Sequence, residues 1–410
     1  MYKVIDRCRS CGSTELKKLI SFGETALADA LLTKERLNED ELKVPLTLAY
    51  CSDCSLTQIL EEVPPEILFC RDYPYYSSVS NYLMEHFGKS AEDIISARKL
   101  TSESFVTEAA SNDGYMLRKF VEKNIPVLGI DPAEGPAKKA VEKGVPTLNT
   151  FFTQELAKTY FHNEGRYADV FLANNVLAHV PDLNGFVEGI QILLKEDGVA
   201  VIEVPYLIDL IDKTEFDTIY HQHLCYFSVT ALDKLFRRHK LFLNDVKHVA
   251  IHGGTLRLFI EKKEIPGENV RRMLEDEAAR KIGTEEFFEE FICGVKEIKE
   301  SLYSMLTGIK KDGLKIAGYG AAAKSNTLQA YTGINNEMID YIADLSKFKQ
   351  GLYFSGTHIP IVSPSLIRET MPDYVVILAW NFADEIMQQL SDYKEKGGKF
   401  IVPIPRPKII

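Results

Sequence analysis

"FVTEAASNDGYMLRKFV", residues 105–121, decides how the rest of the chain is read. An apolar run ending in Glu108 gives way to small, turn-forming residues and Gly114, after which apolar side chains return at helical spacing. That pattern is strand, tight turn and helix. A turn of this kind brings backbone and a helix N-terminus close to a nucleotide. A second short apolar strand, "VLGIDPA" (127–133), ends in Asp131, about 20 residues further on, where an acidic side chain accepts from ribose hydroxyls. Asp-Pro also suits the start of a helix, and the two roles are compatible.

Working outward, "ADVFLANNVLAHV" (168–180) and "GVAVIEVPY" (198–206) read as further strands with an apolar-periodic helix, "LNGFVEGIQILL" (183–194), between them. Strands alternating with helices predict a parallel, doubly wound sheet. After a densely charged helical stretch, about 265–312, the pattern recurs. "LKIAGYGAAAKSNTLQ" (314–329) is strand, Gly-rich turn and helix, and "IDYIADLS" (339–346) and "YVVILAWN" (374–381) are strands. Gly318, Gly320, Lys324 and a helix N-terminus suit a diphosphate, and ordinary strand–helix punctuation is the plainer reading. The fold class expected is α/β: two doubly wound Rossmann-like domains and a small N-terminal zinc-binding domain. The boundaries expected are 1–78, 79–264 and 265–410, the last led by the helical segment.

The zinc expectation rests on Cys8, Cys11, Cys51 and Cys54, in "CRSCG" and "CSDCS". Paired C-x-x-C units in a reducing compartment more often bind metal than form disulfides, and four thiolates satisfy tetrahedral zinc with no open position. Such a zinc is structural.

A formal net charge of −11 argues against nucleic acid as a partner, because phosphate contacts need a basic face. No charged-then-apolar leader or apolar run of spanning length appears, so no membrane association is expected and a cytoplasmic location is. No coiled-coil seam or other association signature appears, which leaves the oligomeric state open.

"YHQHLCYFS" (220–228) packs two histidines, two tyrosines and a cysteine into nine positions. Strand alternation would point His221 and His223 to one face, but Gln222 removes the nearest carboxylate that could complete a metal site. Cys225 reads as packing. His179 lies just past the carboxyl end of a predicted strand, where ligands bind in open α/β sheets. The cofactor turn allows a nicotinamide dehydrogenase or an S-adenosylmethionine-dependent transferase, and neither turn carries the fuller G-x-G-x-x-G that dehydrogenases use.

Taken together, the paired cysteine knuckles, "YPYYSSVS" (73–80), "SNDGYML" (111–117), "ANNVLAHVPDLNGF" (173–186), "YHQHLCYFS", "GYGAAAKSNT" (318–327), "FKQGLYFSGTHIPI" (348–361) and "LAWNF" (378–382) resemble the sugar C-methyltransferases that act on nucleotide-linked 4-keto-6-deoxy sugars. The resemblance spans nearly the whole chain. It implies a zinc-binding domain, a central methyltransferase domain using S-adenosylmethionine, and a C-terminal Rossmann-like domain that helps hold the nucleotide sugar. Two positions depart from the family's pattern. Ala109-Ala110 stand where a glycine is common, and Gln222 replaces the glutamate of Y-H-E-H.

Methylating a sugar carbon needs a base near neutral pKa, donors to an enolate oxygen and a methyl sulfonium held in line. The resemblance makes His223 the expected base and Tyr220 a donor or proton relay, with Gln222 and His221 orienting their neighbours and His179 polarising the ketone or touching the sugar. Tyr75 and Tyr76 are expected to cover the sugar, one of them packing in the core. Glu108, Ala110, Asn112, Gly114, Asp131, Asn174 and Asn175 are the expected cofactor residues. Gly318, Tyr319, Gly320, Lys324, Asn326, Asp344, Lys347 and His358, with Tyr75 and His221, are expected to meet the nucleotide sugar. Two other functions stay open: a nicotinamide-dependent nucleotide-sugar reductase, and a non-catalytic nucleotide-sugar-binding protein.

Overall fold

The computed structural model describes residues 2–69, 76–79, 81–251 and 253–410. Tyr75 lies outside the described residues.

The segment centred on the opening turn forms a seven-stranded sheet. Its strand order is Phe242–Val249, Thr255–Glu261, Leu194–Pro205, Ala168–Asn174, Val106–Ala109, Val127–Ile130 and Thr147–Leu148. Thr255–Glu261 runs antiparallel to its neighbours on both sides, and the rest of the sheet from Leu194–Pro205 onward is parallel. Val106–Ala109 is buried at every position, as expected of a central strand covered on both faces. Its carboxyl end, and those of Val127–Ile130 and Ala168–Asn174 beside it, open on the edge where ligands bind in such sheets.

The second α/β unit is a six-stranded sheet ordered Ile361–Val362, Ile342–Ala343, Ile316–Tyr319, Tyr374–Ile377, Lys399–Val402 and Lys408–Ile409, parallel except at the last pair.

The charged stretch is not one helix. Helices Glu268–Ala279 and Glu285–Lys311 are separated at Gly283, whose φ of +84° breaks the helical path. The second buries Phe288, Phe291, Val295, Ile298, Leu302, Leu306 and Ile309 along one stripe and leaves its acidic and basic side chains in water.

The N-terminal region is built on an antiparallel sheet. Leu16–Ala26 and Lys43–Cys51 form a long antiparallel pair with two register shifts, between Lys18 and Ile20 and between Ser21 and Glu24. These irregularities break the apolar–polar alternation that would have announced a strand. Thr57–Ile59 adds a third strand, and Cys225–Tyr226, from the histidine block, adds the fourth (Cys225 opposite Gln58, Tyr226 opposite Thr57). That pairing joins residues on either side of the boundary drawn near residue 78. No described helix is long and apolar enough to cross a membrane.

Candidate active site

The two cysteine knuckles close on one end of the long hairpin, where Cys51 lies opposite Leu16. The four sulfurs of Cys8, Cys11, Cys51 and Cys54 lie within 4.8 Å of one another, with 3.5 Å between Cys8 and Cys54 and between Cys11 and Cys51. Ligands about 2.3 Å from a tetrahedral zinc stand about 3.8 Å apart, so the set fits that ion. Backbone amides of Gly12 and Ser55 close the two knuckles on the carbonyls of Cys8 and Cys51, both at 2.9 Å. Gln58 Nε2 donates to the Cys8 sulfur at 3.3 Å, while its Oε1 accepts from Arg9 N at 3.1 Å, so a neighbouring amide orients one ligand. It is the only such cluster among the described residues, and the histidine block is not part of it.

The expected cofactor residues gather at the carboxyl edge of the seven-stranded sheet. Asn174 Nδ2 donates to Glu108 Oε1 at 3.0 Å, and Asn112 N donates to Asp131 Oδ2 at 2.8 Å. The turn is built from left-handed residues: Ala110 at φ +52°, Asn112 at +50°, Gly114 at +74°, and Asn175 at +55° across from them. A Cβ on Gly114 would come within 2.9 Å of Val145, so glycine is needed there twice over. Asp131 takes a second amide, Ala133 N at 2.8 Å, and so fastens the first turn to the start of the next helix. Burial pushes its carboxyl up to about 6 and that of Glu108 up to about 8. Glu108 Oε2 and Asn175 Oδ1 are buried without a hydrogen-bonding partner, acceptors suited to the ammonium and hydroxyl groups of an amino-acid nucleoside. S-adenosylmethionine fits this edge.

The histidine half of the block is a turn, not the strand that would have aligned its two rings, and the strand begins at Cys225. His221 is buried, directs Nε2 to the Pro45 carbonyl at 2.9 Å in the N-terminal sheet, and is held neutral by burial. It therefore faces away from His223, and the two do not form a metal pair. His223 donates Nδ1–H to the Thr218 carbonyl at 2.8 Å, which leaves Nε2 as an acceptor 3.0 Å from the Tyr220 hydroxyl. The His179 ring lies beside it, centroids 4.8 Å apart. His179 donates Nδ1–H to the Gln222 carbonyl at 2.6 Å, and burial lowers its pKa. A neutral ring so tied offers its other nitrogen as an acceptor, which suits a sugar hydroxyl and not the polarising of a ketone. The Leu224 amide reaches the Ala178 carbonyl at 2.7 Å, so the two histidine loops are fastened together.

Tyr76 sits on the cofactor side, its hydroxyl against Gly135, where an added Cβ would approach to 2.8 Å, and its ring stacked on exposed Phe348 at 6.5 Å. Beside it, Ser77 N donates to Asn112 Oδ1 at 2.9 Å, laying this segment over the cofactor turn.

Most of the residues expected to meet the nucleotide already have partners within the chain. Asn326 Nδ2 donates to the Ala26 carbonyl, His358 pairs with Glu41 at 2.7 Å, and the Tyr319 hydroxyl donates to Gln389 at 3.1 Å. Asp344 accepts from Ala321 N at 2.7 Å and Ser346 N at 2.8 Å. Gly318 and Gly320 are packing positions, since added Cβ atoms would meet Ile342 at 2.9 Å and Ala379 at 2.5 Å. Lys347 is exposed. Lys324 donates to Asn381 Oδ1, lies 3.8 Å from the centroid of the Trp380 ring, and is close enough to Asp217 and Glu215 for their charges to oppose the lowering of its pKa by burial.

Sequence reasoning missed Glu215 and Asp217. Both are buried, each with one carboxyl oxygen unpartnered, and burial pushes Glu215 up to about 7. The Nε1–H of Trp380, the only tryptophan in the chain, donates to Asp217 Oδ2 at 2.7 Å. Two acids in "TEFDTIYHQH", apolar around them and directly ahead of the histidines, were the available signal.

A doubly wound domain with a cofactor turn at its carboxyl edge, carried between a four-thiolate centre and a second α/β unit, defines an S-adenosylmethionine-dependent methyltransferase with a structural zinc site. Three family models match along the chain: a zinc binding domain over residues 8–69, a methyltransferase domain over 89–241 and a C-methyltransferase C-terminal domain over 250–405. The C-methyltransferase NovU of Streptomyces niveus is 34% identical over 409 residues, 99% of this chain and 97% of its own. The chain belongs to this family of C-methyltransferases. Fainter likenesses to solved structures cover under half of it. Magnesium protoporphyrin IX methyltransferase of Synechocystis PCC 6803 matches at 11% identity over 44% of this chain and 83% of its own, TM-score 0.35. The PH0226 protein of Pyrococcus horikoshii OT3 matches at 14% over 47% and 97%, TM-score 0.38.

Proposed function

We propose that this chain methylates a carbon beside the C4 ketone, at C3, of a nucleotide-diphosphate 4-keto-6-deoxy sugar. The observation that supports it best is the state of His223: Nδ1–H on the Thr218 carbonyl, Nε2 joined to the Tyr220 hydroxyl, and His179 alongside. That is an imidazole whose Nε2 is placed to take a proton by way of the Tyr220 hydroxyl.

Removing hydrogen from carbon flanking a ketone gives an enolate, and bound S-adenosylmethionine supplies the methyl group that this carbon takes up. Tyr220 passes its phenolic proton to His223 Nε2 as its own oxygen receives the C3 proton, and the Thr218 carbonyl steadies the imidazolium that results. His179 accepts from a sugar hydroxyl, and the Gln222 carboxamide donates to the enolate oxygen, a role open to an amide and closed to an ionised glutamate. Tyr76 covers the cofactor side. The nucleotide diphosphate lies at the partly exposed turn of Ala322, Ala323 and Lys324, with Lys347 at its rim. The nicotinamide reading has the C-terminal turn alone behind it, and there the Asp344 carboxylate already accepts two backbone amides.

The test is a mass-shift assay with S-adenosylmethionine against thymidine, guanosine and cytidine diphosphate 4-keto-6-deoxy sugars, alongside deuterium uptake at C3. A gain of one methyl and exchange at C3 are expected on one of them. His223→Asn should lower turnover by about 100-fold or more, the scale of a lost general base, with cofactor affinity held. No methylation and no exchange across the panel overturns the reading.

A further inference from the structure

We propose that Asp217, Trp380 and Thr327 are positioning residues through which the C-terminal α/β unit sets the place and tautomer of His223. The inference rests on the reading of His223 as the base.

The Nδ1–H of His223 is held by the Thr218 carbonyl at 2.8 Å. That carbonyl sits in a short 3-10 turn, Phe216–Thr218, an element with little internal stiffness. Its neighbours on both sides are held from the C-terminal unit. On one side the Trp380 indole donates to Asp217 Oδ2 at 2.7 Å. On the other the Thr327 hydroxyl, on helix Ser325–Thr332, donates to the Ile219 carbonyl at 2.6 Å. The two donors come from different elements and grip residues directly before and after the acceptor, which fixes the peptide in translation and in rotation.

Asp217 and Thr327 are buried, so both bonds are made away from water, where they hold geometry most firmly. The Asp217 carboxylate also takes backbone hydrogen bonds from the turn itself, at Asp217 and Thr218, and has Lys324 and Glu215 as charged neighbours. The far side of the block is held separately. Cys225–Tyr226 pairs with Thr57–Ile59, and the Ile59 amide donates to the Leu224 carbonyl at 3.0 Å. His223 thus lies between two anchors from opposite ends of the chain, and the C-terminal one grips the residues on either side of its hydrogen-bond acceptor.

The experiment uses full-length Thr327→Val and Trp380→Phe, which remove one donor each and keep shape, with Thr327→Ser as the conservative control. Turnover number should fall about tenfold in each, within the cost of displacing a reacting group by a fraction of an ångström. In Thr327→Val, KM for the nucleotide sugar and affinity for S-adenosylmethionine should stay at wild-type values, and Thr327→Ser should restore turnover. Nitrogen-15 histidine spectra, which need no substrate, should show His223 protonated at Nδ1 in the wild type and a mixture of ring tautomers in Thr327→Val. Unchanged turnover and tautomer in Thr327→Val overturn the inference even if Trp380→Phe does not fold, as does a loss that follows KM or thermal stability. A tautomer that shifts as expected in a protein that methylates no sugar supports the positioning and rejects the substrate.

Discussion

Ala110 holds a backbone conformation that an alanine adopts at a cost. Its φ of +52° lies in the left-handed region, where the Cβ crowds the following carbonyl by about 1–2 kcal/mol. This is one of the two places where the sequence departs from the glycine-bearing pattern of the family it resembles, so the departure is one of strain as well as of approach to the cofactor. Ala110→Gly removes the strain and regains a little unfolded-chain entropy against itself, for a net gain of about 0.5–1 kcal/mol in urea unfolding. Asn112 and Asn175 stand in the same region, and asparagine tolerates it better. At this scale the candidate chemistry was legible through the family resemblance, which pointed to His223, Tyr220 and His179, and the fold brings the three rings together. His221 shows why spacing alone misleads. It reads as the equal of His223 and in three dimensions is a buried ring bound to the Pro45 carbonyl.

At the scale of elements, a buried carboxylate helps fasten the first helix of the pair between the two α/β units. Glu277, on helix Glu268–Ala279, is fully buried and accepts from the Tyr206 hydroxyl at 2.9 Å, the Val229 amide and the Thr230 amide at 2.7 Å each, and the Thr230 hydroxyl at 2.5 Å. The two amides open helix Val229–Arg238, so an acid from another element acts as a cap alongside the Ser228 side chain. With hydrogen bonds to a charged group worth about 1.5–3 kcal/mol each, Glu277→Ala should destabilise by about 3 kcal/mol or more, read as a fall in the urea midpoint at an unchanged slope. Nothing in the charged stretch singles this glutamate out, because its neighbours are solvated and its partners lie about 50 residues or more away in the chain. The histidine block poses the same difficulty: in a strand His221 and His223 would share a face, but the histidine half of the block is a turn and the strand begins only at Cys225.

On the scale of the whole molecule, the zinc knuckles and the proposed base belong to one mechanical unit. The strand Thr57–Ile59 follows Cys54 by two residues and pairs with Cys225–Tyr226, which follows His223 by one. Removing the metal with a chelator should therefore unfold the N-terminal sheet and abolish methyl transfer together, measured as zinc released against turnover lost, because structural zinc supplies folding free energy directly. Activity that survives complete loss of zinc would separate the two.

The sequence alone determined the main elements of the two α/β units and the cysteine set, because each depends on local periodicity, turn chemistry or a short spacing that the chain carries wherever it folds. It also pointed to the residues most apt for proton transfer, since side-chain chemistry needs no neighbours to be read. The tertiary structure decided which of those residues face one another. It sent His221 to one sheet and His223 to Tyr220, put the fourth strand of the N-terminal sheet inside the histidine block, and brought Trp380 to Asp217 across 163 positions of the chain. The contacts of His221 with the Pro45 carbonyl and of Trp380 with the Asp217 carboxylate join residues far apart in the chain, and local side-chain spacing carries no record of either.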